Sequence, residues 1–156
     1  MNSPLIPLAA QVESQPEAQC FSPLDSKVAQ AVDAIQTAKN WQDKYRQIML
    51  VGKALPKLYD VFKQEHAQVK GCESQAWLYH KVIDGQHYFC ADSDSRIVKG
   101  LIAILLHATH SKTTAEIKSF DLNMFFEQLG LSGQLSPSRT NGLTALANAI
   151  KQFAAN

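Results

Sequence analysis

Residues 75–91, QAWLYHKVIDGQHYFCA, decide the fold. Two runs rich in β-branched and aromatic residues flank Asp84-Gly85. Asp-Gly between such runs is the signature of a type I′ hairpin turn, because both central residues must take positive φ. The stretch therefore predicts two antiparallel strands. A hairpin alone is marginal in water, so a third strand or a packed helix must cover it.

The next segment, DSDSRIVKGLIAILLHAT, supplies that helix. Its leading Asp and Ser residues are natural caps, and Ile97, Val98, Leu101, Ile102, Ile104, Leu105 and Ala108 wrap most of the helix circumference. This is the pattern of a buried central helix. Gly100 in its interior costs about 1 kcal/mol of helix propensity relative to Ala, which implies close approach of another backbone. The hairpin is the expected neighbour.

Upstream, DSKVAQAVDAIQTAKN places Val28, Ala31, Val32 and Ile35 on one face, with Asp25 or Ser26 as N-cap. Asn40 opens a second helix through WQDKYRQIMLVGKALP, expected to end near Lys53 ahead of Pro56. KLYDVFKQEHAQVKG is weaker and predicts one helical piece over residues 59–65, then a loop that carries Cys72. Downstream, Thr113 and Glu116 form a T-x-x-E capping box, NMFFEQLG reads as a short helix stopped by Gly130, and Ser136-Pro137 starts a last helix. Leu143, Leu146, Ala147 and Ile150 form the apolar stripe of that last helix. The fold class is α+β, a small antiparallel β-sheet covered by helices. Residues 1–22, rich in Pro and Gln, are expected to be an N-terminal extension held loosely, and residues 23–156 the folded domain.

Of the 156 residues, 46% are hydrophobic and 19% charged, and the formal net charge is +1. That composition suits a globular domain and argues against nucleic acid as the main partner. The first residues hold no Lys or Arg, so no presequence is expected. Leu101 to Leu106, the longest apolar run, is far below the roughly 18 residues that cross a bilayer, so a soluble protein without membrane contact is expected.

Three cysteines, Cys20, Cys72 and Cys90, are odd in number and irregular in spacing, which argues against a disulfide framework and for a reducing, cytoplasmic setting. Cys90 reads as strand packing, and Cys20 as an exposed tail thiol. The five histidines meet no zinc template, and His80 and His87 read as exposed strand residues. No metal is expected.

Cys72 is different. In VKGCESQAWL it sits between a glycine and a charged residue, outside any apolar run. A nucleophilic thiol needs exposure and cations or N–H groups that favour the thiolate. Gly71 permits unusual backbone angles, and Lys70 and Arg139 are the available cations. An inert loop thiol is the bland alternative. A Cys–His hydrolase would need His80 or His66 beside Cys72, and neither spacing is diagnostic. Asp92 and Asp94 suit helix capping as well as partner contact, while Arg139 opposes the dipole of the helix it starts, which hints at anion contact.

In order and spacing, NWQDKYRQIMLVGKALP, VKGCESQAWL, DSDSRIVKGLIAILL and LSPSRTNGL resemble the SufE-like sulfur-acceptor family over residues 40–152. WQDKYRQIMLVGKALP and GLSGQLSPSRTNGL look closer to its CsdE branch. The resemblance implies a fold like that of SufE and the IscU-type iron–sulfur scaffolds. It also implies that Cys72 carries sulfur as a persulfide taken from a pyridoxal-phosphate (PLP) dependent cysteine desulfurase of the SufS or CsdA kind. The chain would stimulate that enzyme and pass sulfur to a scaffold or other acceptor for iron–sulfur cluster assembly or related trafficking. It would be a sulfur-transfer protein with no cofactor of its own rather than a stand-alone enzyme, monomeric or weakly homodimeric. Gly71, Glu73, Gln75, Asp94 and Arg139 are the implied partner-binding residues, with Trp77 and the last-helix start as candidates for shielding the persulfide. A non-catalytic desulfurase-binding module is the alternative reading.

Overall fold

A computed structural model describes residue 16 and residues 18–71 and 74–155. Six α-helices and a two-stranded sheet, joined by short 3₁₀ turns, run in the order α1 (Ser26–Thr37), α2 (Trp41–Val51), β1 (Ala76–Ile83), β2 (Gln86–Ser93), α3 (Arg96–Thr109), α4 (Thr114–Ser119), α5 (Leu122–Gln128) and α6 (Pro137–Ala155). The α+β class is as the sequence predicts. Asp84 and Gly85 take φ of 53° and 78°, the left-handed pair that a type I′ turn requires, and the register runs from Ala76↔Ser93 to Ile83↔Gln86.

Caps set the helix starts. The side chains of Asp25, Asn40, Ser95, Thr113 and Asp121 accept hydrogen bonds from first-turn backbone N–H groups, and Thr113 with Glu116 completes the reciprocal capping box. Ser95, not Asp92 or Asp94, caps α3. After α2 the chain tightens into a 3₁₀ turn over Gly52–Ala54, and the helical piece predicted over residues 59–65 is instead two single 3₁₀ turns, Asp60–Phe62 and Glu65–Ala67. No regular apolar spacing in that stretch rewards a longer helix.

Both faces of the hairpin are covered, by different material. Leu78, Phe89 and Ala91 face the main core, built on α3 and completed by α1, α2, α5 and α6. Leu101, Ile104 and Leu105 are fully buried there, each contributing roughly 1.5–3 kcal/mol by leaving water. Trp77, Tyr79 and Cys90 face a second cluster with Cys20, Phe21, Leu58, Phe62 and Ala67. Each hairpin strand also carries one short bridge on its outer edge, Gln68 against Trp77 and Lys112 against His87.

Three expectations are corrected. Gly100 does admit a close backbone, but that backbone is α2: a Cβ on Gly100 would fall on the Ile48 carbonyl. The residues just ahead of α1 are not loose, because Ala18–Phe21 form a 3₁₀ turn in which Cys20 and Phe21 are buried. Cys20 is therefore no exposed thiol; it is joined to Cys90 in a disulfide with Cα atoms 5.7 Å apart, against the expectation of unpaired cysteines.

Candidate functional site

The sequence predicts a loop around Cys72, and the residues that flank it are held in place. Val69 N–H donates to the Ala76 carbonyl at 2.9 Å, which fixes the chain on either side of the predicted loop, directly ahead of β1. Cys72 and Glu73 lie outside the described residues; their neighbours on both sides lie within them. Gly71 has φ of 98°, a left-handed conformation that glycine takes without penalty, and a Cβ added to it would meet Ala145 Cβ of α6 at 3.1 Å. Position 71 thus favours glycine for two reasons, backbone angle and space.

On the other side of the thiol, the Gln75 carbonyl accepts from Asp94 N–H at 3.2 Å and from Ser93 Oγ at 2.7 Å. These bonds tie the loop to the junction between β2 and α3. Ser74 lines a surface cleft of about 330 Å³ with Val98, Ser138, Arg139 and Leu143. The cleft brings Arg139, in the first turn of α6, next to the loop, and its half-exposed side chain has no salt-bridge partner among the described residues. Gly71, Gln75 and Asp94 are exposed. Of the sequence-predicted set, the structure joins Gln75 to Asp94 and places Arg139 beside Ser74. Ser74 and Ser138 lie within two of the quoted motifs, whereas Ala145 carries no signal in the sequence.

Not all the predicted neighbours share this side. Trp77 is buried in the second cluster, with Lys63 Nζ 5.4 Å from its ring centroid, whereas α6 packs on the opposite face of the hairpin. Trp77 and the start of α6 therefore cannot flank one pocket, and the cleft is built from α3 and α6. Asp92 is also not on display. It is 5% exposed, between Lys63 and Lys99 at 3.7 and 3.5 Å.

Of the strand histidines, His87 is buried and His80 half-buried, where the sequence predicts exposure. His87 is 5% exposed; its Nδ1 lies 2.7 Å from His80 Nε2 and its Nε2 lies 2.7 Å from Thr114 Oγ1, while the His80 ring stacks on Phe153. Burial, and then the neighbouring His87, pull the His80 pKa down to about 4. A base that weak, already engaged with His87, is poorly suited to activate a thiol at neutral pH. Among the described residues, no group of three His, Cys, Asp or Glu is placed to hold a metal ion, and no helix is long and apolar enough to cross a membrane.

Comparison with known proteins gives a family, two relatives and a shared fold. The SufE family, described as an Fe-S metabolism associated domain, matches residues 29–154. The chain is 46% identical over 111 residues to the sulfur acceptor protein CsdE of Escherichia coli, covering 70% of this chain and 76% of that protein. It is 36% identical over 123 residues to an uncharacterized SufE-like protein of Haemophilus influenzae, covering 78% of this chain and 98% of the relative. A solution structure of a hypothetical protein from Thermus thermophilus shares the fold, with TM-score 0.65 at 15% identity over 85% of this chain and 96% of that one.

Proposed function

This chain belongs to the SufE family, on its CsdE branch, and from that membership we propose that Cys72 is the sulfur-carrying residue of a sulfur acceptor for a cysteine desulfurase. The observation that carries the reading is the position of Cys72 in sequence. It falls between two described segments that are pinned, by Val69–Ala76 and by Gln75–Asp94, and the flanking Ser74 shares a cleft with an arginine that has no salt bridge among the described residues.

In the proposed step the Cys72 thiolate attacks the outer sulfur of the persulfide on the desulfurase cysteine. The S–S bond breaks, the desulfurase cysteine leaves as a thiolate, and Cys72 keeps the sulfur as a persulfide. Electrons balance without oxidant or reductant, and PLP remains with the desulfurase. The chain itself supplies positioning. A rigid stem brings the loop to the partner, glycine at 71 gives it freedom to move, and Arg139 and Lys70 favour the anionic form of the thiol and of the incoming persulfide. Gly71, Glu73, Gln75, Asp94 and Arg139 form the docking surface in this account. The sulfur then passes to a scaffold or other acceptor in iron–sulfur metabolism, and the cytoplasm is the compartment that fits such chemistry.

Desulfurase turnover with added chain tests the reading against its rivals. A sulfur acceptor raises turnover with wild type and loses the effect with Cys72→Ser. Equal stimulation by both proteins would make the chain a binding module, and turnover of a substrate by the chain alone would make it a hydrolase.

A further inference from the structure

The molecule holds a second sulfur centre that the acceptor function does not use. Cys20 and Cys90 are joined across a separation of 70 residues, linking the 3₁₀ turn ahead of α1 to the middle of β2. The two sulfurs are not equivalent in access. Cys90 is 2% exposed, locked in the hairpin opposite Tyr79, whereas Cys20 is 7% exposed and lines a surface groove of about 200 Å³ with Pro16, Pro56, Lys57, Tyr59 and Phe62. Lys57 adds a cation to the groove, and a cation favours the approach of a thiolate. Contacts other than the bond also hold the segment: Phe21 is buried, and the Ser22 carbonyl lies 2.8 Å from His110 Nε2, which favours the two thiols staying neighbours after reduction.

We propose that Cys20 and Cys90 form a reversible, redox-active disulfide that small thiol reductants open from the groove at Cys20. The reductant thiolate attacks Cys20 Sγ, the Cys20–Cys90 bond breaks, and Cys90 leaves as a thiolate that takes a proton. The second reductant thiol then attacks the mixed disulfide, releasing Cys20 as a thiol and closing the reductant's own disulfide. Two electrons and two protons pass to the protein. Glutathione disulfide, acting through the same exchange in reverse, restores the bond as two glutathione thiols form. A disulfide in a chain of cytoplasmic type is more often such a redox-responsive pair than a permanent staple. The pair is independent of Cys72, so the proposal stands whether or not Cys72 carries sulfur.

The test uses full-length Cys72→Ser protein, so that only this pair is read. It is equilibrated in glutathione buffers graded from reduced to oxidised, quenched in acid, alkylated with a mass-tagged maleimide and mapped by peptide mass spectrometry. The expected result is a Cys20–Cys90 cross-linked peptide at the oxidised end, two tags per chain at the reduced end, and a reversible transition between them. Absence of the cross-link under oxidising buffer, or a cross-link that persists under full reduction in the folded chain, overturns the proposal. In brief exposure of the oxidised protein to glutathione alone, the trapped mixed disulfide should sit on Cys20; finding it mainly on Cys90 would reverse the assigned site of attack.

Discussion

Gly100 of α3 lies against Ile48 of α2 so closely that no side chain fits between them: a Cβ on the glycine would coincide with the Ile48 carbonyl. Two helices that share their burial with the hairpin can approach this far only where one of them has no side chain. Gly100→Ala should gain about 1 kcal/mol of helix propensity and lose more to the backbone clash, which must push α2 and α3 apart. We expect a net loss of about 2 kcal/mol, read as a lower urea midpoint. An unchanged or raised midpoint would mean that the helices separate freely.

The histidines set a pH dependence with a definite sign. Burial lowers the pKa values of His80, His107 and His110, that of His80 to about 4 with His87 adding to the effect. The unfolded chain takes up protons near pH 6.5, the folded chain only at lower pH. Stability is therefore fully present above about pH 6.5 and declines as pH falls from there toward about 4. Urea midpoints compared at about pH 7.5 and about pH 5 should fall on acidification, and His80→Phe should flatten the slope while keeping a ring against Phe153. A midpoint that rises on acidification would contradict the burial of these rings.

Arg139 is expected to serve the partner and not the fold. It has no salt bridge among the described residues, and it sits where a cation opposes the dipole of α6. Arg139→Glu should leave the urea midpoint within about 0.5 kcal/mol of wild type. It should weaken desulfurase stimulation by roughly tenfold and make it less sensitive to salt. Lost stability with unchanged stimulation would assign the residue to packing instead.

Gly71 joins loop conformation to function. With φ of 98° and Ala145 Cβ 3.1 Å from where a Cβ would stand, Gly71→Ala is strained in both backbone and space. It should cost about 1–2 kcal/mol if the loop keeps its form, and slow sulfur uptake if the loop moves. Stopped-flow uptake and urea midpoints, measured together, must show at least one of these effects.

Much of this architecture was readable from the residues because local signals agreed with one another. Asp84-Gly85 fixes the hairpin register, and the caps at Asp25, Asn40 and Thr113 fix helix starts through bonds made within a few residues. What was misread depends on long-range packing. Cys20 has a polar, proline-rich neighbourhood in sequence, yet Phe21 anchors it to the outer face of the hairpin, beside a cysteine 70 residues away. His87 alternates correctly for a strand, but the segment after α3 returns to bridge it at Lys112 and buries it. At the site, the family motif pointed to Cys72 and Arg139. The link from Gln75 to Asp94 and the place of Ala145 under Gly71 follow from tertiary contacts that no local spacing encodes.

The most direct test of the central claim is to incubate the chain with a cysteine desulfurase and cysteine, then map the added mass by peptide mass spectrometry without reductant. The account predicts a gain of about 32 Da, one sulfur atom, on the peptide that contains Cys72, absent from Cys72→Ser and retained in Cys20→Ser and Cys90→Ser. Sulfur found on Cys20 or Cys90 instead, or acceptance by Cys72→Ser equal to wild type, would contradict it.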